Sequence, residues 1–352
     1  MKKFLKVLLI VLAVILAAAV LFIAFLSVTE YKPDDVTPLD VTGSGSSERL
    51  QLGSESSVIS WNIGYAGLGA GSDFFMDGGD DVRSADKETV MEYLTGIADT
   101  LDENSDTHIF MLQEVDASSS RTYKIDERQY LARSVSAYAL NYSCAYVPYP
   151  LPPIGTVHSG LYTTTDYEID TAERISLPCP FSWPVSTANL KRCLLVSYLP
   201  IEGSDSQLVL VNLHLEAYDS GEGKIAQTNQ LREFIESEYA KGNYVIAGGD
   251  FNQVFPETTE VFPNTHEDLW VPGVIEDNLL PEGWSLAYDM SYPSCRLLNQ
   301  AYDPSDVEDT QYYVIDGYIV SPNVTVSSVE TLHSDFAYSD HNPVKLTFSL
   351  NG

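Results

Sequence analysis

The chain has 352 residues, with 19 Lys and Arg against 50 Asp and Glu and a formal net charge of −31. Such an acidic chain argues against tight tracking of a long polyanion, which needs clustered basic surface. Its four cysteines, Cys144, Cys179, Cys193 and Cys295, show no CxxC spacing and so argue against a structural zinc site; spacing leaves their pairing open, with buried free thiols as good an account as disulfides.

Residues 1–29 read as a membrane anchor. Lys2, Lys3 and Lys6 precede the uncharged run Val7–Val28. A helix of that length crosses a hydrocarbon core of about 30 Å at about 1.5 Å per residue. Lysines on the N-terminal side stay in the cytoplasm, which places the rest of the chain outside the cell membrane as a single-pass protein. A cleaved signal and a secreted domain are the alternative, with only a weak small-residue site in "ILAAAVLF". Residues 30–55 are rich in Gly, Ser, Pro and Asp and predict a flexible polar stalk. Residues 56–352 contain no internal repeat and no linker, and predict one catalytic-sized domain.

Within that domain, apolar β-rich runs alternate with helical patterns. "SSVISWNI" predicts a strand ending at Asn62, followed by a Gly- and Asp-rich loop. Val90, Leu94, Ile97 and Leu101 mark one face of a helix behind a cap at Ser84. "HIFMLQEV", "KRCLLVSYL" and "LVLVNLHL" predict strands, and "YVPYPLPPIG" a proline-rich loop. A helix near 223–240 carries Leu231, Phe234, Ile235 and Tyr239 on one side. "NYVIAGGDFN" breaks on two glycines, "YYVIDGYIV" is interrupted by Asp316, and "PVKLTFSL" alternates with period two. Segment 255–310 is irregular and is expected to shape substrate choice. The sum is a mixed α/β domain with about ten strands.

The polar residues cluster at strand ends, where α/β folds place their sites. They are Asn62 in "SWNI", Glu114 in "LQEV", His214 in "NLHL", Asp250 and Asn252 in "GGDFN", Asp316 in "VIDGY", and Asp340 with His341 in "SDHNP". Singly, each has a plain account as a turn residue, a solvated strand end or a hydrogen-bonded core histidine. Asp316 resists it, because a carboxylate among Val, Ile and Tyr must be paired. Together, Asn, Glu and Asp oxygens suit a hard cation such as magnesium, and two histidines near carboxylates suit phosphate contact or proton transfer.

The ordered set "SWNI", "LQEV", "NLHL", "GGDFN", "IDGYIVS" and "SDHNP" resembles the endonuclease/exonuclease/phosphatase (DNase I-like) superfamily, from about residue 57 to 350. Within it, "DFFMDGG", "PPIGTVHSGL" and "NLHLEAYDSGEGK" resemble a group of bacterial membrane-anchored proteins. The resemblance implies an α/β four-layer sandwich of two packed mixed β-sheets flanked by helices, in addition to the N-terminal transmembrane helix. It implies Asn62, Glu114 and Asp340 as metal ligands and Asp250 as the acid that orients or deprotonates the attacking water. Asn252 is implied as a phosphate-contacting amide, and His214 as a phosphate-binding or acid histidine. His341 is implied as the catalytic histidine held by Asp316. His158 and Arg296 are expected to contact substrate. Arg192, a scarce cation, has a phosphate contact or a surface salt bridge as its two accounts, and Asp73 and Asp77 in "SDFFMDGG" have cleft lining, a turn or a structural ion site.

The activity implied is a magnesium-dependent phosphoesterase, with manganese or calcium as other ions, hydrolysing a phosphodiester. Its partners are a phosphoester substrate (nucleic acid, phospholipid headgroup or small phosphorylated metabolite) and, through the N-terminal helix, the membrane; the chain is expected to be a monomer. A phospholipid or inositol-phosphate hydrolase is an alternative, and a non-catalytic binding module on the same fold is another.

Overall fold

The computed structural model describes residues 2–83, 85–219, 221–266, 268–276, 279–305 and 310–352. The strands are, in chain order, β1 Val36–Leu39, β2 Thr42–Gly43, β3 Glu55–Asn62, β4 Ile109–Asp116, β5 Val135–Val147, β6 Gly155–Thr165, β7 Thr171–Ser176, β8 Cys193–Pro200 and β9 Gln207–His214. They continue as β10 Tyr244–Asp250, β11 Gln253–Val254, β12 Gly273–Val274, β13 Ser285–Ala287, β14 Cys295–Arg296, β15 Tyr312–Tyr313, β16 Asp316–Val320, β17 Val324–Thr331 and β18 Val344–Leu350. The helices are α1 Lys2–Thr29, α2 Lys87–Glu103, α3 Arg128–Leu131, α4 Glu222–Ala240 and α5 Thr258–Val261.

Two seven-stranded sheets face each other, in the orders β17-β18-β3-β4-β6-β5-β2 and β1-β7-β8-β9-β10-β16-β13. Each has one parallel pair, β3 with β4 and β9 with β10, and each pair is joined through a helix, α2 or α4. A parallel pair needs such a crossover, and the helix then covers the outer face of its sheet. Both faces of these strands are therefore buried, which is why they read as continuous apolar runs. Val58, Met111, Leu210 and Ile246 fill the space between the sheets. Their strand neighbours Ile59 and Phe110 pack beneath α2 with Val90, Leu94 and Ile97, and Val209, Val211 and Val245 beneath α4 with Leu231 and Ile235. The result is the α/β/β/α sandwich that the resemblance implied.

Several expectations change in detail. The cap of α2 is Asp86, which accepts a hydrogen bond from Thr89 N at 2.9 Å; Ser84 lies outside the described residues. In α4, Leu231 and Ile235 are fully buried while Tyr239 is 36% exposed against Trp284. The four cysteines are free thiols, and only Cys179 is exposed.

The flexible stalk over residues 30–55 is not what the structure has. β1 pairs antiparallel with β7 at the edge of one sheet, and β2 with β5 at the edge of the other. Leu50 is 2% exposed within the inter-sheet core and bridges to Ile201. Composition pointed to flexibility, but short edge strands draw their stability from the sheet they extend, not from their own side chains. Before this strap, α1 is long and apolar enough to cross a membrane.

Candidate active site

The two parallel pairs set the site. Asn62 ends β3 and Glu114 lies near the end of β4; His214 and Asp250 end β9 and β10, directly opposite each other. β16 runs antiparallel to β10 with Asp316 opposite Asp250, so a strand start meets a strand end. β18 runs antiparallel to β3, and Asp340 and His341 just before it arrive at the same end. Four strand C-termini and two strand entries thus converge at one mouth of the sandwich.

Local backbone devices aim the side chains. The β4–β6 register shifts between Leu112 and Val115, and Glu114 sits at φ 56°, in the left-handed region that costs a non-glycine residue about 1 kcal/mol or more. Gly249, before Asp250, has φ +149°. A Cβ there would lie 1.9 Å from Leu213 O, so only glycine lets β10 pass β9 this closely. The backbone of His341 is fixed by Trp61 Nε1, which donates to His341 O at 2.8 Å.

The centre is a dense hydrogen-bonded cluster. His341 Nδ1 lies 2.8 Å from Asp316 Oδ2, and Ser294 Oγ donates to the same oxygen at 2.7 Å. On its other side, His341 Nε2 is 3.7 Å from Asp250 Oδ2 and 3.9 Å from Asp340 Oδ2. Asp250 Oδ2 accepts from Asn62 Nδ2 at 3.0 Å and lies 3.3 Å from His214 Nε2, while Asp250 Oδ1 accepts from Asn252 N at 2.8 Å. Asn62 Nδ2 also reaches Glu114 Oε1 at 3.3 Å.

This environment divides the titrating groups. Burial alone would lower the pKa of His341, but Asp316 first, then Cys295, Asp340 and Asp250, push it well above its ordinary value. His214 goes the other way: burial, helped by Arg192 and His341, pushes it well below. Burial raises Asp250 to about 6 against the pull of His341, and raises Asp340 to about 7, again against His341. One imidazole is held charged and one neutral, with carboxyls poised near neutral pH. Such a separation assigns acid and base roles.

The cleft above this cluster has a volume of about 910 Å³ and is lined by Asn62, Glu114, His214, Asp250, Asn252, Asp340 and His341. The structure thus brings together eight of the ten expected site residues, with Asp316 directly behind His341. The other two differ. His158 is half-buried with Nδ1 3.0 Å from Ser143 Oγ; its strand neighbour Ser159 lines the cleft instead, as alternation requires. Arg296 touches the cleft, but its guanidinium donates to the carbonyls of Gly69, Ser72, Leu297 and Gln300 and is 1% exposed. Its geometry is that of a loop clamp, not of a substrate contact. Asn252 likewise donates its amide to Leu215 O at 2.9 Å.

Gln113, Asn212 and Arg121 went unread in the sequence, whereas cleft lining was one of the accounts open for Asp77. Gln113 Nε2 donates to Asn212 Oδ1 at 2.8 Å, and Asn212 donates to Leu112 O and Tyr162 O, tying the two sheets together just behind the centre. The available signal was Asn212 itself, a polar residue two before His214 on the same strand face. Arg121 lines the cleft with its guanidinium 3.5 Å above the Tyr65 ring and paired to Asp116 at 2.9 Å. Asp77, also lining the cleft, accepts from Tyr218 Oη at 3.0 Å. Loop residues of this kind carry no periodic signal.

A divalent cation fits the donor set. Glu114 and Asp340 offer carboxylate oxygens, and Asn62 an amide, at a cleft where Asp77 and Asp250 add further negative charge. The carboxyl of Asp340 is pushed up because it is buried beside Glu114 and Asp77, a cost that a hard cation removes. Ligand atoms of Asp250, Asp316 and His341, and of Cys295, Asp340 and His341, also lie within 4.8 Å of one another.

Solved structures share this architecture. An endonuclease/exonuclease/phosphatase from Beutenbergia cavernae superposes with a TM-score of 0.54 at 15% identity, over 85% of this chain and 72% of that one. The fold is that of the endonuclease/exonuclease/phosphatase proteins. A protein of that description from Bacteroides thetaiotaomicron gives 0.52 at 18% identity, covering 85% and 98%, and one from Bacteroides vulgatus 0.51 at 17%, covering 85% and 100%. At these identities the likeness is one of fold. No family model and no curated protein matches the chain.

Proposed function

We propose that the chain is a divalent-metal-dependent phosphoesterase that hydrolyses phosphodiesters by in-line attack of water. The observation that carries this reading is the Asp316–His341–Asp250 arrangement, with Asn62 and His214 on the same carboxylate, at the converging strand ends. Asp250 is the only one of these groups hydrogen-bonded or paired to Asn62, His214 and His341 at once, which fixes its orientation as the acceptor of the water proton. His341, kept protonated by Asp316, donates toward the phosphoryl oxygens or the leaving group as charge develops there. His214, kept neutral, supports Asp250 without adding a second cation. Arg121, stacked on Tyr65 and paired with Asp116, presents its guanidinium in the cleft wall. A cation held by Glu114 and Asp340, with Asn62, would neutralise charge on the non-bridging oxygens.

The test is a panel of DNA, RNA, a chromogenic phosphodiester, a phospholipid and inositol phosphates, with magnesium or EDTA. The reading predicts EDTA-sensitive release from a diester. Inertness toward every phosphoester in magnesium, manganese and calcium would sink it.

A further inference from the structure

The cleft is lined not only by the catalytic cluster but also by Phe22, Ile23 and Leu26 of α1. These residues belong to the apolar run that predicts the membrane span. Residues 3–21 of α1 are exposed, and burial begins at Phe22. From there the helix is fixed to the domain. The Phe22 ring meets Tyr146 edge-on at 6.2 Å, Leu26 is 7% exposed among Cys144, Val147 and Val157, and Trp183 Nε1 donates to Ser27 Oγ at 2.9 Å. Glu30 pairs with Lys191 at 2.9 Å, and the chain then enters the edge strands β1 and β2. No free linker separates helix from domain.

Depth follows from length. Phe4–Leu21 is about 27 Å long at about 1.5 Å per residue, close to the ~30 Å of a hydrocarbon core. The domain surface level with Phe22 therefore meets the headgroup layer, where Trp and Tyr are favoured. Tyr149 (69% exposed) and Val185 (58%) line the cleft together with Phe22, Leu151 (85%) follows two residues after Tyr149, and Trp183 (64%) meets Ser27 of α1. With a net charge of −31, the chain is repelled by an anionic leaflet, so seating must come from apolar insertion.

We propose that the last two turns of α1 are a wall of the catalytic cleft, that its mouth is seated in the interfacial layer of the membrane α1 spans, and that the phosphoester it takes is borne by a zwitterionic membrane amphiphile. The substrate half of this rests on the phosphoesterase reading above; the seating half does not.

The experiment uses the full chain in phosphatidylcholine vesicles containing headgroup-labelled phosphatidylcholine and sphingomyelin, with bis(p-nitrophenyl) phosphate in the surrounding buffer and magnesium present. The comparison is the variant Leu151→Ser, whose side chain is 85% exposed and lies outside the cleft. Release from lipid is expected to fall at least ~tenfold while turnover of the soluble diester holds, because interfacial anchors act only on a lipid-borne substrate. Unchanged lipid release in the variant, or turnover of the soluble diester alone by the parent chain, overturns the proposal. If neither substrate is turned over, the phosphoesterase reading fails and the substrate half with it. Seating is then read separately, by quenching of tryptophan fluorescence with phosphatidylcholine brominated high in the acyl chain. Quenching that vanishes in Trp183→Phe supports seating; no Trp183-dependent quenching, or a mature chain that begins after α1, overturns it.

Discussion

His341 Nδ1 and Asp316 Oδ2 lie 2.8 Å apart, 25 residues apart in sequence and buried together, with Ser294 Oγ on the same carboxylate oxygen. The pair fixes which ring nitrogen of His341 faces the cleft and holds the imidazolium against the cost of burial.

Asp316→Asn should therefore cut turnover by about 10²- to 10⁴-fold with the fold intact. It should also move the alkaline limb of the pH–rate profile to lower pH. The sign follows from the raised pKa of His341: without the carboxylate, burial dominates and the proton is lost earlier. A pH–rate profile of the two proteins checks this, and an unshifted limb would separate Asp316 from the titration of His341.

Asp77 gives a pH prediction on stability. Burial raises its carboxyl from 3.8 to about 6, with the Tyr218 hydrogen bond opposing. The protonated form suits the folded state, so the chain loses stability as pH rises from about 4 through 6. Asp77→Asn should remove that loss, gaining about 3 kcal/mol at pH 7 and well under ~1 kcal/mol at pH 4. Urea unfolding in EDTA at the two pH values measures it.

The strap is testable as packing. Leu50→Ala should cost about 2–4 kcal/mol, as for other buried leucines. Limited proteolysis should spare residues 36–50 in the parent chain. Rapid cutting there would restore the picture of a loose stalk.

The sequence pattern carried the layer order and the site further than it carried the edges. Strands buried on both faces announce themselves as unbroken apolar runs, and acids or amides at their ends stand out because burial forbids them unless paired. Asp316 was legible for that reason, and Asn62, Glu114, His214, Asp250, Asp340 and His341 were legible as an ordered set at strand ends. The edge strands β1 and β2 were not, because their pairing depends on a distant sheet edge and their composition is that of a linker. His158 and Arg296 show the same limit. A polar residue in a loop or on a strand reveals its type but not its direction, and direction is set by pleat and by which carbonyls lie nearby. Arg121 and Asp77 enter the cleft from loops whose path no periodicity encodes.

The central claim is that Asp250, fixed by Asn62, His214 and His341, activates water for phosphoester hydrolysis. The most direct measurement compares the full chain with Asp250→Asn on bis(p-nitrophenyl) phosphate in magnesium, with circular dichroism to verify folding. The account predicts EDTA-sensitive turnover in the parent and a loss of about 10²-fold or more in the folded variant. Equal turnover in both proteins would contradict it.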